Sequence, residues 1–226
     1  MTRAYVEPVR EVLNAQSNPD RAKGQTAYMR NQFEFFGLTA GERRKALAPF
    51  LNKNTLPEKS DLHQLVHRLW KEPQREFQYF GQELVAKFKR HLDLSDIPLL
   101  EFMITHKSWW DTVDFIATHL VGIVLANYPK ARGKLCDNWF ESGNIWLQRT
   151  GLLFQLKYKD LLDTELLSRQ IDRLKDSKEF FIRKAIGWIL REYSKTNPNW
   201  VRQFVSDRPE LSNLSRREAL RLNNKN

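Results

Sequence analysis

The chain has 226 residues, 41% hydrophobic and 12% aromatic, enough to bury a core and to exclude a disordered polypeptide. Nine glycines and nine prolines are too few for a collagenous or linker-dominated sequence, and a single cysteine, Cys136, excludes a disulfide framework or a multi-thiolate metal centre. With 37 Lys and Arg against 27 Asp and Glu, the net charge is +10 and the pI near 9.7, the footprint of a protein that meets a polyanion.

The charge is uneven. Residues 1–113 carry 17 basic and 14 acidic side chains, whereas residues 114–226 carry 20 and 13. A solvated basic surface accounts for the same totals, but no short block of consecutive lysines or arginines forms a membrane anchor. Glu7 and Glu11 fall where a secretory signal needs an apolar run. No stretch approaches the roughly 18 apolar residues of a membrane span. These features predict a soluble cytoplasmic protein with no membrane partner.

Helix signals recur along the chain and strand signals are almost absent. Asn18-Pro19 reads as an N-cap with proline at the first helical position. Thr39 with Glu42, and Ser215 with Glu218, have capping-box spacing. Leu62, Leu65, Val66 and Leu69 form an amphipathic stripe, as do Leu99, Phe102 and Met103, and again Leu166, Leu167, Ile171 and Leu174. Breaks fall at Gly37, 52–60, Pro73, 91–96, 128–133, 142–143, 159–163 and Asn197-Pro198. The pattern predicts about a dozen helices and an all-α fold.

Aromatic anchors recur at Phe77, Trp110, Trp146 and Phe181, in steps of 33, 36 and 35 residues. A period near 35 with one helix pair per unit predicts an α-solenoid of HEAT-like repeats, in which stacked pairs share one core and the second helices line a concave DNA-binding face. No linker rich in Gly, Ser or Pro interrupts residues 1–226, so a single domain is expected.

P-loop, G-x-G-x-x-G, H-E-x-x-H and G-x-S-x-G patterns are all missing. His63 and His67 have metal-ligand spacing on a helix but no third ligand nearby, and read as surface histidines; no metal or cofactor is expected. Cys136 reads as a small buried side chain. What stands out is aromatic residues interleaved with charge on the second helices. Trp110 and Asp114 share a helix face, Trp146 and Arg149 share the next, and Trp188 follows Phe181 and Lys184. A helical Trp is ordinarily core and a helical Asp ordinarily solvated. A lone carboxylate in a basic groove weakens DNA binding, however, and catalysis supplies a reason for it. Cleaving the N-glycosidic bond of a cationic N3- or N7-alkylpurine releases a neutral base and leaves an oxocarbenium-like sugar, which a carboxylate stabilises. Indole faces attract cations, and Lys and Arg bind phosphates.

At these residues the sequence resembles the AlkD family of bacterial DNA alkylation repair proteins, HEAT-like monofunctional glycosylases for alkylated purines. The stretches that carry the likeness are KSWWDTVD (107–114), NIWLQRTGLLFQLKYK (144–159), KEFFIRKAIGWILREYSKTNP (178–198) and AYMRNQFEFFG (27–37), within about residues 5–222. The resemblance implies that Asp114 is the catalytic carboxylate and that Trp110 and Trp188 contact the deoxyribose of the lesion. It implies that Arg149 lies beside them on DNA and that Tyr28 touches the DNA backbone. Lys157, Lys184, Arg191 and Lys195 are expected phosphate contacts, and Trp109 buried support. The expected partner is double-stranded DNA containing alkylated purines, engaged by a monomer without a base-flipping pocket. The rival is a non-catalytic HEAT-like module that binds damaged or branched DNA; a protein-binding scaffold leaves the basic C-terminal half and lone acid without explanation.

Overall fold

A computed structural model describes residues 2–222, with side chains from residue 5 onward; Met1 and residues 223–226, which the expected domain includes, lie outside the described residues. The chain forms two compact units, Met1–His91 and Leu92–Asn226. The first holds α1 (Thr2–Ala15), α2 (Pro19–Tyr28), α3 (Ala40–Leu47), α4 (Leu62–Lys71) and α5 (Arg75–Lys87). The second holds α6 (Ile97–Thr105), α7 (Trp110–Ile116), α8 (Gly122–Asn127), α9 (Arg132–Glu141) and α10 (Ile145–Leu153). It continues with α11 (Thr164–Leu174), α12 (Phe180–Tyr193), α13 (Pro198–Ser206) and α14 (Asn213–Ala219). The fold is all-α. Among the described residues no strand occurs, and one isolated parallel bridge joins Glu34 to Gln74. No helix among them is long and apolar enough to cross a membrane.

Local sequence chemistry sets the helix starts. Asn18 accepts from the Arg21 N–H and Pro19 opens α2; Thr39 and Glu42 form the expected reciprocal box at α3; Asn197 caps α13 ahead of Pro198. The stripes point inward as their spacing predicts: Leu62, Leu65, Val66 and Leu69 are buried on α4, and Leu166, Leu167, Ile171 and Leu174 on α11. On α6 the buried set is Ile97, Leu99, Leu100, Met103 and Ile104, with Phe102 only half-buried.

In the first unit an acid organises a loop. The Glu76 carboxylate, 1% exposed, accepts backbone N–H groups of Phe36, Gly37 and Leu38 at 3.1, 3.0 and 3.4 Å. Burial pushes its carboxyl above the ordinary range, and the backbone hydrogen bonds pull it back. Gly37 is left-handed at φ 94°, and a Cβ there would stand 2.1 Å from the Asn18 carbonyl oxygen, so only glycine fits.

In the second unit the aromatic anchors open successive second helices. Trp110 begins α7, Trp146 follows the first residue of α10, and Phe181 follows the first residue of α12. α10 packs on both α7 and α12, and α9 packs on α11, so first and second helices form separate layers within this unit. α7 runs through a π-helical turn, Ala117–Val121, into α8. That turn delivers Gly122 against the end of α10, where a Cβ would lie 2.5 Å from the Phe154 carbonyl oxygen.

The expected Ser215–Glu218 capping box does not form. Ser212 caps α14 instead, accepting from the Ser215 N–H, while the Ser215 hydroxyl donates to the Arg183 carbonyl of α12 at 2.9 Å. Glu218 turns toward α12 as well. Both choices follow from the close seat of α14 on α12 over Gly187, whose missing Cβ would lie 2.5 Å from Glu218 Cβ and 3.0 Å from the Ser215 carbonyl oxygen. Gly187→Ala is therefore expected to destabilise the protein by about 1–3 kcal/mol, the cost of forcing volume into a packed helix crossing. A urea titration checks this: the midpoint should fall, and an unchanged midpoint would show that the crossing has slack.

Candidate active site

Asp114 lies one turn after Trp110 on α7, just before the π-helical turn. From that turn the Thr118 hydroxyl donates to the Asp114 carbonyl oxygen at 2.7 Å. π-Helical insertions of this kind recur next to functional residues.

The Asp114 side chain meets Arg149, which projects from α10. Arg149 Nε donates to Oδ1 at 2.7 Å and Nη2 to Oδ2 at 2.8 Å, a bidentate fork-to-carboxylate pair. Arg149 Nη1 donates to the Phe181 carbonyl oxygen in the first turn of α12. One guanidinium thus joins three successive second helices. The Arg149 side chain is 5% exposed and that of Asp114 16%. The arginine is therefore interior, while part of the carboxylate still meets solvent. Burial pushes the Asp114 carboxyl above its ordinary range, and the Arg149 hydrogen bonds and charge pull it back.

An aromatic trio flanks the pair. Trp109, Trp146 and Phe181 come from three successive repeats, with centroids 5.8 Å apart for Trp109–Trp146, 5.1 Å for Trp109–Phe181 and 4.9 Å for Trp146–Phe181. The Arg149 guanidinium carbon lies 6.0 Å from the Phe181 ring centre. Asn144 fixes where α10 starts by accepting from the Trp146 and Leu147 N–H groups, which sets the Trp146 ring and Arg149 in register. Trp109, expected as buried support, packs in this cluster but is half-buried, and Trp146 joins it.

The two tryptophans predicted to face a ligand are placed differently from the trio. Trp110 is half-buried on the turn that carries Asp114. Trp188, also half-buried, stands on α12, and its indole stacks on no ring and meets no guanidinium among the described residues.

The basic residues divide. Arg149, expected on phosphate, has its guanidinium committed to Asp114 and the Phe181 carbonyl. Lys184 and Arg191 both donate to Glu218, Lys184 Nζ at 2.8 Å from Oε1 and Arg191 through Nη1 to Oε2. Lys195 pairs with Glu192 one turn earlier on α12, at 2.6 Å. Lys157 is exposed beside His119, whose Nε2 faces its ammonium and whose ring stacks on Phe115 with centroids 4.5 Å apart. Tyr28, at the end of α2 in the first unit, is 70% exposed. Cys136 is buried, accepts from Gln170 Nε2 at 2.9 Å, and has its thiol pushed up to about 12 by burial.

Sequence reasoning missed the Asp114–Arg149 pair and the Glu218 contacts. A signal was available. The partners stand 35 and 34 residues apart, one repeat period, and equivalent positions of adjacent helices are neighbours in a stacked array.

Fold and site define a class: an all-helical protein of stacked helix pairs holding a partly accessible acid on an interior arginine, with aromatic side chains around them. The chain belongs to the DNA alkylation repair enzyme family, whose match spans residues 9–222. It is similar to a solved structure, the "Predicted DNA alkylation repair enzyme from Enterococcus faecalis", at 32% identity over 93% of this chain and 98% of that one, with a TM-score of 0.86. No match is found among curated proteins. Family membership assigns the chain to the repair of alkylation damage in DNA.

A double-mutant cycle measures the central pair. Asp114→Asn and Arg149→Met should show a coupling of about 1–3 kcal/mol in urea unfolding, with Arg149→Met the costlier single change because it removes the contacts to both Asp114 and the Phe181 carbonyl, whereas asparagine keeps an acceptor for Arg149. Strict additivity would mean that the two side chains do not depend on one another.

Proposed function

We propose that the protein is a monofunctional DNA glycosylase that hydrolyses the N-glycosidic bond of N3- or N7-alkylated purines in duplex DNA. The observation that carries this reading is the Asp114 carboxylate, fixed by a two-point arginine contact yet still reached by solvent. A carboxylate offers about four lone-pair sites, and Arg149 takes two of them. The others are available for a developing positive charge or for a water molecule.

The chemistry suits such an acid. An alkylated purine already carries positive charge, so the C1′–N bond breaks with its electron pair passing to the base, which leaves neutral without a general acid. Positive charge moves to the sugar, where an oriented carboxylate stabilises it. Water then adds to C1′, and its proton passes to Asp114 or to solvent. Trp110, on the same helical turn, and Trp188, with an unstacked indole, supply faces that attract the cationic sugar, each worth about 0.5–2 kcal/mol. Arg149 acts through Asp114, as a positioning residue. Lys157, Lys184, Arg191 and Lys195 on the second unit and Tyr28 on the first are the proposed DNA backbone contacts. No lysine is given a Schiff-base role in this reading, so strand cleavage is not part of the proposal.

Release of 7-methylguanine from methylated duplex DNA tests this reading. Asp114→Asn should slow single-turnover release by about 10²-fold or more, the scale of a lost electrostatic stabiliser, and leave affinity for the duplex equal or higher. Undiminished release would dismiss the acid's role, and tight binding by an inactive wild type would favour the non-catalytic DNA-binding module.

The pH profile provides a separate check. The carboxylate acts ionised, so release should fall as pH drops through the folded-state pKa of Asp114, which burial places above the ordinary aspartate range. Arg149→Met removes the groups that pull that pKa down, so its acid limb should move to higher pH. An acid limb that stays in place would mean that a different group is titrating.

A further inference from the structure

Helix periodicity sorts the residues of α12 around its axis. At 100° per residue, Trp188 and Phe181 fall within about 20° of each other, and Gly187, where α14 crosses, lies about 100° from Trp188. Lys184 and Arg191 occupy the ridge between. Each is one turn from Trp188, at i−4 and i+3, the spacings at which helical side chains touch. A lysine or arginine so placed has an obvious resting place, the face of the Trp188 indole. Neither takes it. Both turn the other way, to the Glu218 carboxylate, which α14 carries across the Gly187 gap.

We propose that Glu218 is a positioning residue that draws Lys184 and Arg191 off the Trp188 indole and so keeps that face open for the sugar of the lesion. The inference rests on the glycosylase reading for its consequence in catalysis but not for its geometry. Glu218 is suited to the task. Its side chain is 14% exposed, its carboxyl is held below the ordinary range by the two cations, and its hydrogen bonds to them are charge-assisted. An exposed cation–π contact competes poorly with such bonds. Both cations keep donors beyond the ones given to Glu218, so the ridge can still meet phosphate. Simple neutralisation of positive charge predicts the opposite catalytic outcome, since removing the acid would then tighten binding and cost nothing in rate.

Glu218→Gln keeps the side-chain volume over Gly187 and removes the charge. In the free protein, ring-current shifts decide the geometry: the Lys184 or Arg191 methylene protons should move upfield in Glu218→Gln and not when Trp188→Leu is added. In single-turnover release of 7-methylguanine, Glu218→Gln should lower the rate about three- to tenfold with affinity for undamaged duplex equal or tighter, because only the fraction with an open indole reacts. In a Lys184→Met/Arg191→Met background the same change should have no effect on rate, which separates the role from a general loss of packing. Absence of the upfield shifts overturns the inference whatever the activity. Shifts as expected in a wild type that releases no base would uphold the geometry and overturn the glycosylase reading instead.

Discussion

The bidentate contact between Arg149 and Asp114 is the constraint on which the site depends. A guanidinium has a planar fork, so two parallel hydrogen bonds fix the carboxylate plane as well as its position. The remaining bond to the Phe181 carbonyl fixes the arginine in turn. An acid on α7 is thereby held to α10 and α12, and the distance from Asp114 to any side chain on those helices follows from how they stack. A lysine could supply the charge but not the plane. Breaking such a pair from one side leaves an uncompensated charge in the interior, a loss of about 3–5 kcal/mol in comparable settings.

The same logic runs through the whole second unit. Asp137 on α9 pairs with Arg173 on α11, 36 residues on, and Asp172 pairs with Arg208, 36 residues further. Lys175 reaches Glu210 at a separation of 35, and Lys184 reaches Glu218 at 34. The exposed pairs each add little, at most about 1 kcal/mol. Their regularity matters more than their strength: opposite charges one repeat apart fix the register of neighbouring helices, since a slip of one residue rotates every partner by about 100°.

This ladder explains what was legible in the sequence. Helices, caps such as Asn18 and Thr39 and the apolar stripes of α4 and α11 depend on neighbours within a turn or two, so local spacing exposes them, and the aromatic anchors show through their recurrence at the repeat period. The acid and its one-turn tryptophan are legible for the same reason. Arg149 is different. Its local spacing to Trp146 puts it on a face but does not say whether a carboxylate from the preceding repeat waits there. Ser215 and Glu218 fail in a similar way, because a local motif worth about 1 kcal/mol loses to a helix crossing that offers the acid two cations. Reading charge at the repeat period, and not only within a helix, would have found both pairs.

Pairing also changes the meaning of the net charge. The C-terminal half is strongly basic, yet several of its arginines and lysines already hold carboxylates, and Arg149 is interior. Net charge therefore overstates the number of phosphates that this half can neutralise, and a salt dependence scaled from composition would be too steep. What the paired cations supply instead is position. Lys184 and Arg191 sit on the helix whose first-turn carbonyl anchors Arg149, so their ridge stands in a fixed relation to Asp114. Within the second unit the stacking itself supplies the frame: Asp114, the indoles of Trp110 and Trp188, and the Lys184–Arg191 ridge stand on α7 and α12, which both pack on α10.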